Sequence, residues 1–193
     1  MTTAFTAITF AGLEPVLANE LRAMGAREVQ TLTRAVRFVG DRRLLYRANY
    51  ELRTAIRILQ PFASFQTQNE QHLYKKIYEI NWSQYLTTQQ TFSITAVTQS
   101  KYLKHSKYIA LKAKDAIVDQ FRDRHGRRPS VNRTSPDLEL HLHISRDNHC
   151  TVSINTSGEP LFKRGYRVDT VDAPINEVLA AGLILLSGWQ ADS

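Results

Sequence analysis

The stretch AFTAITFAGLEPVLANELRAMG, residues 4–25, predicts the first two elements of the fold. Its first seven residues are mostly aromatic and β-branched, which predicts a strand. The apolar residues that follow recur every three or four positions through residues 13–24, and this period predicts a helix. Gly25 then provides the residue type with which helices often end. The chain therefore opens with a strand and an amphipathic helix.

The same patterns continue and complete a recognisable order of elements. Short strands are predicted at residues 27–32 and 34–39, a helix at residues 42–52, and a strand at residues 55–59 that ends before Pro61. The order βαββαβ is the ferredoxin-like pattern. We therefore expect an α+β protein whose first domain, residues 1–65, is ferredoxin-like.

A second set of elements predicts a second α+β domain over residues 66–157. It comprises a helix from about Asn69, a strand at 91–98, a long helix at 106–124 with Ser106 as its N-cap, and a hairpin of strands at 138–144 and 150–154. Pro174 to Leu186 then predicts a helix that is apolar around most of its circumference. Because such a helix needs cover on more than one side, we expect residues 158–193 to be a linker and the first helix of a further, truncated domain.

The positive charge of the chain is concentrated in one segment. The formal net charge is +7. Residues 101–133 contain ten lysines and arginines against three aspartates, whereas cations and carboxylates are equal in number elsewhere. A concentrated excess creates a field that attracts polyanions, so the composition favours nucleic acid as the partner over a merely solvated basic surface.

Three groups of side chains are candidates for contact with RNA. Lysines before a helix can bind phosphate at its N-terminus, although Ser106 could cap that N-terminus without any ligand. Arginines suit bidentate phosphate binding, although one or two would also suit a helix C-terminus. Alternating aromatic and basic residues can hold RNA or simply pack a linker. The candidates are Lys101, Lys104, His105, Lys107 and Lys112, then Arg122, Arg124, Arg127, Arg128 and Arg133, then Lys163, Arg164 and Arg167.

No catalytic, cofactor-binding or metal-binding constellation is predicted. His141 and His143 alternate with apolar residues and read as solvated strand histidines, whereas Cys150 is expected to point inward. Glycine-rich phosphate loops and nucleophile elbows are missing from the sequence. A single cysteine and a start without a signal-peptide pattern favour the cytoplasm, and no apolar run is long enough to suggest a membrane partner.

In these motifs the sequence resembles the bacterial THUMP-containing RNA methyltransferases, the UPF0020 group. The similarity spans essentially the whole chain, and the order of the motifs is more specific than any single one. The stretches that carry it are residues 10–17, 20–21, 46–49, 52–55, 105–119, 127–131, 157–167 and 173–177.

The resemblance implies a ferredoxin-like domain, a THUMP domain and then a Rossmann-type methyltransferase domain that uses S-adenosylmethionine and is absent from this sequence. It further implies methylation of guanine N2, with 23S ribosomal RNA as the substrate and no metal. The expected partners are thus RNA and the chain's own downstream methyltransferase domain. Two alternatives stay open: tRNA as the substrate within the same family, and a freestanding RNA-binding or ribosome-assembly protein.

Overall fold

The computed structural model describes residues 2–165, 167–169 and 172–189, and it divides into two compact units. The first comprises residues up to Gln60 together with those from Thr156 onward, and the second is Pro61–Asn155. The first unit has the predicted βαββαβ order. Its elements are β1 (Thr3–Ile8), α1 (Glu14–Ala23), β2 (Arg27–Leu32), β3 (Ala35–Gly40), α2 (Arg42–Glu51) and the start of β4 (Arg57–Gln66).

The strands of the first unit lie in the order β2-β3-β1-β4 and are antiparallel. Phe5 lies opposite Phe38 on the neighbouring strand, with ring centroids 5.4 Å apart. Leu17 and Leu21 of α1 are fully buried in the same cluster. Because apolar side chains recur on one face of each strand and helix, a single core forms between the helices and the sheet.

Strand β4 continues through Pro61, so the prediction that it ends before this proline was wrong. Residues Arg57 to Leu59 pair with β1, whereas the later part of the strand lies beside β8 (His149–Asn155). Proline lacks an N–H to donate to a ladder. Pro61 is the first residue of β4 in the second unit, just after the residues that pair with β1, and the strand continues through it.

After β8 the chain returns to the first unit. The Thr156 N–H donates to the Ile58 carbonyl at 2.9 Å, and the Leu161 N–H donates to the Ile56 carbonyl at 2.8 Å. A final helix, α5 (Glu177–Leu186), packs against α1. The prediction that this helix starts at Pro174 was wrong. The helix begins at Glu177, because Asn176 caps it by accepting from the Val178 N–H at 3.0 Å.

The second unit consists of a sheet with two helices on it. Its further elements are α3 (Glu70–Glu79), a 3₁₀ turn (Trp82–Gln84), β5 (Thr91–Thr98), α4 (Ser106–His125), β6 (Ser130–Val131) and β7 (Leu138–Ile144). The helix α4 connects β5 to the parallel strand β7, and β7 and β8 form the expected antiparallel hairpin. The sequence did not predict β6, which has only two residues and pairs in parallel with β5.

The buried stripe of α4 holds the second unit together. Ile109, Ala113, Ile117 and Phe121 are all buried, as their spacing of four predicts. Gly126 ends the helix with φ +65°, a conformation that favours glycine, and its N–H donates to the Arg122 carbonyl. Within the described ranges, no helix is long and apolar enough to cross a membrane.

Candidate nucleic-acid interface

Helix α4 carries a basic patch at each end. Lys101, Lys104 and Lys107, hereafter the lysine patch, are exposed around its N-terminus. A helix of 20 residues rises about 30 Å, so the second group of cations lies well separated from the first. This second group, hereafter the arginine patch, is also exposed and consists of Arg122, Arg124, Arg127, Arg128 and Arg133.

The loop that presents the lysine patch is held in place by Ser100. Its Oγ accepts the N–H groups of Tyr102 at 3.0 Å and Leu103 at 3.1 Å, and donates to Asn148 Oδ1 at 2.6 Å. Leu103 is buried, and its carbonyl accepts from Thr98 Oγ1 at 2.7 Å. Lys101 and Lys104 therefore project from a fixed backbone, which reduces the entropy lost when they bind a ligand. No pattern in the sequence predicted these anchoring residues.

The N-terminus of α4 lacks a side-chain cap. His105 occupies the N-cap position and makes no capping hydrogen bond, whereas Ser106 is the first helical residue. The expectation that Ser106 caps the helix was therefore wrong. The first N–H groups of a helix have no partner within the helix and carry a partial positive charge. At α4 they lie among three lysines, where a phosphate would be favoured.

The three carboxylates of the basic segment already have partners in the second unit. Asp119 accepts from the Tyr74 hydroxyl at 2.8 Å, and Asp123 accepts from the Tyr78 hydroxyl at 2.8 Å. Asp115 forms an ion pair with Lys114. The pKa of Tyr74 is raised to about 12, mainly because its hydroxyl is removed from water and also because that hydroxyl donates a hydrogen bond to Asp119. Both tyrosines thus stay protonated and hold α4 against α3.

Intramolecular contacts divide the predicted RNA-contacting residues into two sets. Lys112 places its Nζ 5.3 Å from the centre of the Tyr74 ring, Arg122 pairs with Asp119 at 3.3 Å, and Arg124 donates to Asn81 Oδ1 at 3.0 Å. Across the residues described, no carboxylate pairs with the remaining members of the two patches. Those members are Lys101, Lys104, Lys107, Arg127, Arg128 and Arg133.

Tyr102 is an aromatic neighbour of the lysine patch that the sequence analysis did not propose as a contact. Its side chain is 72% exposed. Tyr108, on the first turn of α4, is 42% exposed, and a hydrogen bond to Glu70 raises the pKa of its hydroxyl. An exposed aromatic ring between cations can stack on a base while the cations bind phosphates. The signal in the sequence was the run Lys101-Tyr102-Leu103-Lys104.

The cations of residues 162–167 are mostly engaged within the first unit. Arg164 donates to the Asn49 carbonyl at 2.7 Å. Arg167 donates to the Ile175 carbonyl at 2.7 Å and lies 3.5 Å from Glu177. Lys163 is exposed beside a cavity of about 480 Å³, and Tyr166 lies outside the described residues. These contacts give the two arginines a structural role, and RNA contact by this segment stays a prediction.

The histidines and the cysteine of the hairpin point to opposite sides of the sheet. His141 and His143 lie opposite Ser153 and Thr151, whereas Cys150 is fully buried. Burial raises the pKa of the Cys150 thiol to about 12, so it is not a nucleophile at neutral pH. In the parts of the chain that the structure covers, no group of three or more potential metal ligands is brought together.

Comparison with known proteins identifies both units. The model of the RlmL ferredoxin-like domain matches residues 4–59, and the model of the THUMP domain matches residues 67–155. The chain is 42% identical, over 97% of its length, to a putative RNA methyltransferase from Synechocystis. It is 40% identical, over 92% of its length, to a ribosomal RNA large subunit methyltransferase K/L from Syntrophotalea carbinolica. A putative methyltransferase solved in complex with SAH matches 99% of the chain with a TM-score of 0.82 and 30% identity.

These matches define the chain as a ferredoxin-like domain followed by a THUMP domain, a type of RNA-binding module. The chain is similar to the N-terminal part of the THUMP-containing RNA methyltransferases, the family that its motifs predicted. It spans about half the length of the Synechocystis protein and about a quarter of the Syntrophotalea protein.

Proposed function

We propose that this chain holds and positions RNA for an S-adenosylmethionine-dependent RNA methyltransferase. The observation that carries the proposal is the lysine patch, where three unpaired lysines surround an uncapped helix N-terminus. Ser100 fixes the loop that presents two of them. Phosphate contacts of this kind set the position and register of an RNA, and the downstream part of the enzyme supplies the chemistry.

The substrate proposed is 23S ribosomal RNA, methylated at N2 of a guanine. Support comes from the resemblance of the motifs and from the names of relatives as ribosomal RNA large subunit methyltransferases. S-adenosylmethionine would bind the methyltransferase domain, since the motifs for it are missing from these residues and a neighbour carries SAH. The methyl group would pass from S-adenosylmethionine to the guanine, leaving S-adenosylhomocysteine, in the cytoplasm and without a metal.

Helix α5 supports the proposal that this chain works beside a further domain. Val178 and Gly182 are buried, and a Cβ on Gly182 would lie 2.5 Å from Leu13 Cδ2, so this side packs closely on α1. Two other apolar residues of the helix, Leu183 and Leu186, are exposed, and so is Ile175 just before it; these three residues are the exposed stripe. Relatives about twice as long or longer have the extra chain that could cover it. We propose that the methyltransferase domain packs on this stripe.

The proposal is tested by RNA binding at several salt concentrations. Replacing Lys101, Lys104 and Lys107 together by Ala should weaken binding of a 23S rRNA fragment roughly tenfold and reduce the salt dependence by about two to three phosphate contacts. A matched control replaces Lys75, Lys76 and Arg146, three other cations of the second unit, and should change affinity less than about twofold. Equal losses in both variants would contradict the patch, and a wild-type affinity insensitive to salt would contradict RNA binding through phosphates.

The chemistry is tested with the full-length parent enzyme. Incubation with labelled S-adenosylmethionine and either 23S rRNA or tRNA should yield N2-methylguanine in the ribosomal RNA alone. Label in tRNA alone would select the tRNA alternative. A full-length chain that transfers no methyl group to either RNA would select the freestanding RNA-binding protein.

A further inference from the structure

The first unit carries its own excess of positive charge, which none of the RNA-contact candidates includes. Its first 60 residues contain nine arginines and no lysine, against five carboxylates. Arginine presents planar, bidentate donors that match phosphate better than the ammonium group of lysine does. A cluster made only of arginines is therefore a stronger indication of phosphate binding than the same charge carried by lysine.

Three of these arginines line one cavity. Arg27 begins β2, and Arg43 and Arg47 lie in the first two turns of α2. Together with Gly40 and Asp41 they surround an open space of about 420 Å³ at this end of the sheet. The volume is large enough to admit a phosphate group with its neighbouring atoms, and the opening leaves room for a longer polyanion.

The positive charges around this cavity are only partly neutralised. Arg47 is bound by Glu51 through two contacts of 2.9 Å, which leaves part of its guanidinium available. Asp41 is occupied as the cap of α2, where its Oδ1 accepts from the Leu44 N–H at 2.8 Å. For Arg27 and Arg43, the described residues provide no pairing carboxylate, and both side chains are exposed. The four charged residues of the lining, Arg27, Arg43, Arg47 and Asp41, carry a formal net charge of +2.

We propose that the cavity lined by Arg27, Arg43 and Arg47, hereafter the arginine pocket, binds a phosphate group. An RNA backbone phosphate or a free phosphate would make the same contacts, namely charge-assisted hydrogen bonds from two unpaired guanidinium groups. In its RNA form the inference rests on the proposed function and extends the RNA-binding surface to the ferredoxin-like unit. The pocket belongs to the first unit, whereas the lysine patch belongs to the second.

The test compares two double variants of the full chain. R27Q/R43Q removes the two unpaired arginines of the pocket, and the matched control R34Q/R37Q removes two exposed arginines near the turn between β2 and β3. All four residues are exposed, so we expect both variants to keep the wild-type melting temperature. The measurements are fluorescence anisotropy with labelled RNA, and an NMR titration with inorganic phosphate that follows the Gly40 and Asp41 amides.

We expect R27Q/R43Q to weaken RNA binding about fivefold and to lower the salt dependence by one to two phosphate contacts, while the control changes less than about twofold. Saturable shifts at Gly40 and Asp41 with inorganic phosphate, without an effect on RNA affinity, would assign the pocket to free phosphate. Equal losses in the two variants, or no change with either probe, would overturn the inference. The lysine-patch variant gives an independent readout: if it alone loses RNA affinity and inorganic phosphate causes no shifts at Gly40 and Asp41, the pocket fails and the proposed function stands.

Discussion

The hydroxyl of Ser100 accepts the N–H of Leu103 at 3.1 Å, and this bond turns the chain so that Leu103 enters the core while Lys101 and Lys104 face solvent. A buried side chain and two exposed cations thus depend on one small polar residue. The loop joins β5 to α4, and its shape decides where the lysine patch lies.

Replacing Ser100 by Ala should weaken RNA binding without removing any charge. Two backbone N–H groups and Asn148 lose their partner, so we expect a loss of stability of about 1 to 2 kcal/mol and at least a threefold loss of RNA affinity. Thermal unfolding and anisotropy measure the two effects. Ser135→Ala, at an exposed position in the same unit, is the control. Unchanged affinity in S100A would mean that the lysines bind equally well from a mobile loop.

Tyr102 should contribute to RNA binding through its ring rather than its hydroxyl. Stacking of a base on an aromatic side chain contributes about 1 to 3 kcal/mol, so Tyr102→Ala should weaken binding at least fivefold, whereas Tyr102→Phe should bind as the wild type does. Tyr50, which is 81% exposed in the first unit, provides the control variant Tyr50→Ala. If Y102F loses as much affinity as Y102A, the hydroxyl is the contact and the stacking prediction is wrong.

Gln120 should be essential to the packing of α3 on α4. Its buried amide donates to the Ile80 carbonyl at 2.6 Å and accepts the Trp82 N–H at 3.2 Å. Gln120→Leu leaves these two backbone groups without partners, and we expect a loss of about 2 to 3 kcal/mol. Unfolding followed by tryptophan fluorescence measures it, and Gln84→Leu at an exposed position is the control. Equal melting temperatures for the two variants would refute this role.

The Cys150 thiol should resist alkylation until the pH is far above neutral. Burial raises its pKa from 9.0 to about 12, so the thiol stays protonated in the folded chain where an unfolded chain would ionise. Stability from this group is therefore complete below about pH 9 and is lost as the pH rises toward 12. Iodoacetamide labelling from pH 7 to 10, with and without urea, measures the difference. Fast labelling of the folded chain at pH 8 would contradict the buried position.

The exposed stripe of α5 should matter only when the rest of the enzyme is present. Leu183 and Leu186 are 51% and 57% exposed, so replacing both by Gln should leave the melting temperature of this segment unchanged. In the full-length enzyme the same change should lower methyl transfer several-fold while RNA affinity is retained. Leu32→Gln, at an exposed apolar position on β2, is the control. Full activity of the double variant would remove the proposed docking role.

Much of the fold could be predicted because it depends on local periodicity. The strand at Thr91–Thr98 and the helix from Ser106 appear as the pattern of apolar residues indicates, and the hairpin of β7 and β8 follows strict alternation. Pro61 and Pro174 misled the prediction of element ends. In each case a non-local or capping contact decides the boundary, namely the change of partner strand along β4 and the side chain of Asn176.

Lysines before α4 and arginines after it could be predicted from the sequence, because charge and helical period can both be counted along the chain. Which of these cations are unpaired depends on the folded structure. Arg122 meets Asp119 within its own helix, but Arg124 bonds to Asn81 and Lys112 lies over Tyr74, partners about 40 residues away. Arg27 and Arg43 likewise line one pocket because β2 pairs with β3, and β3 leads directly into α2. Distant residues compete for each charge, and only the folded chain fixes which partner it meets.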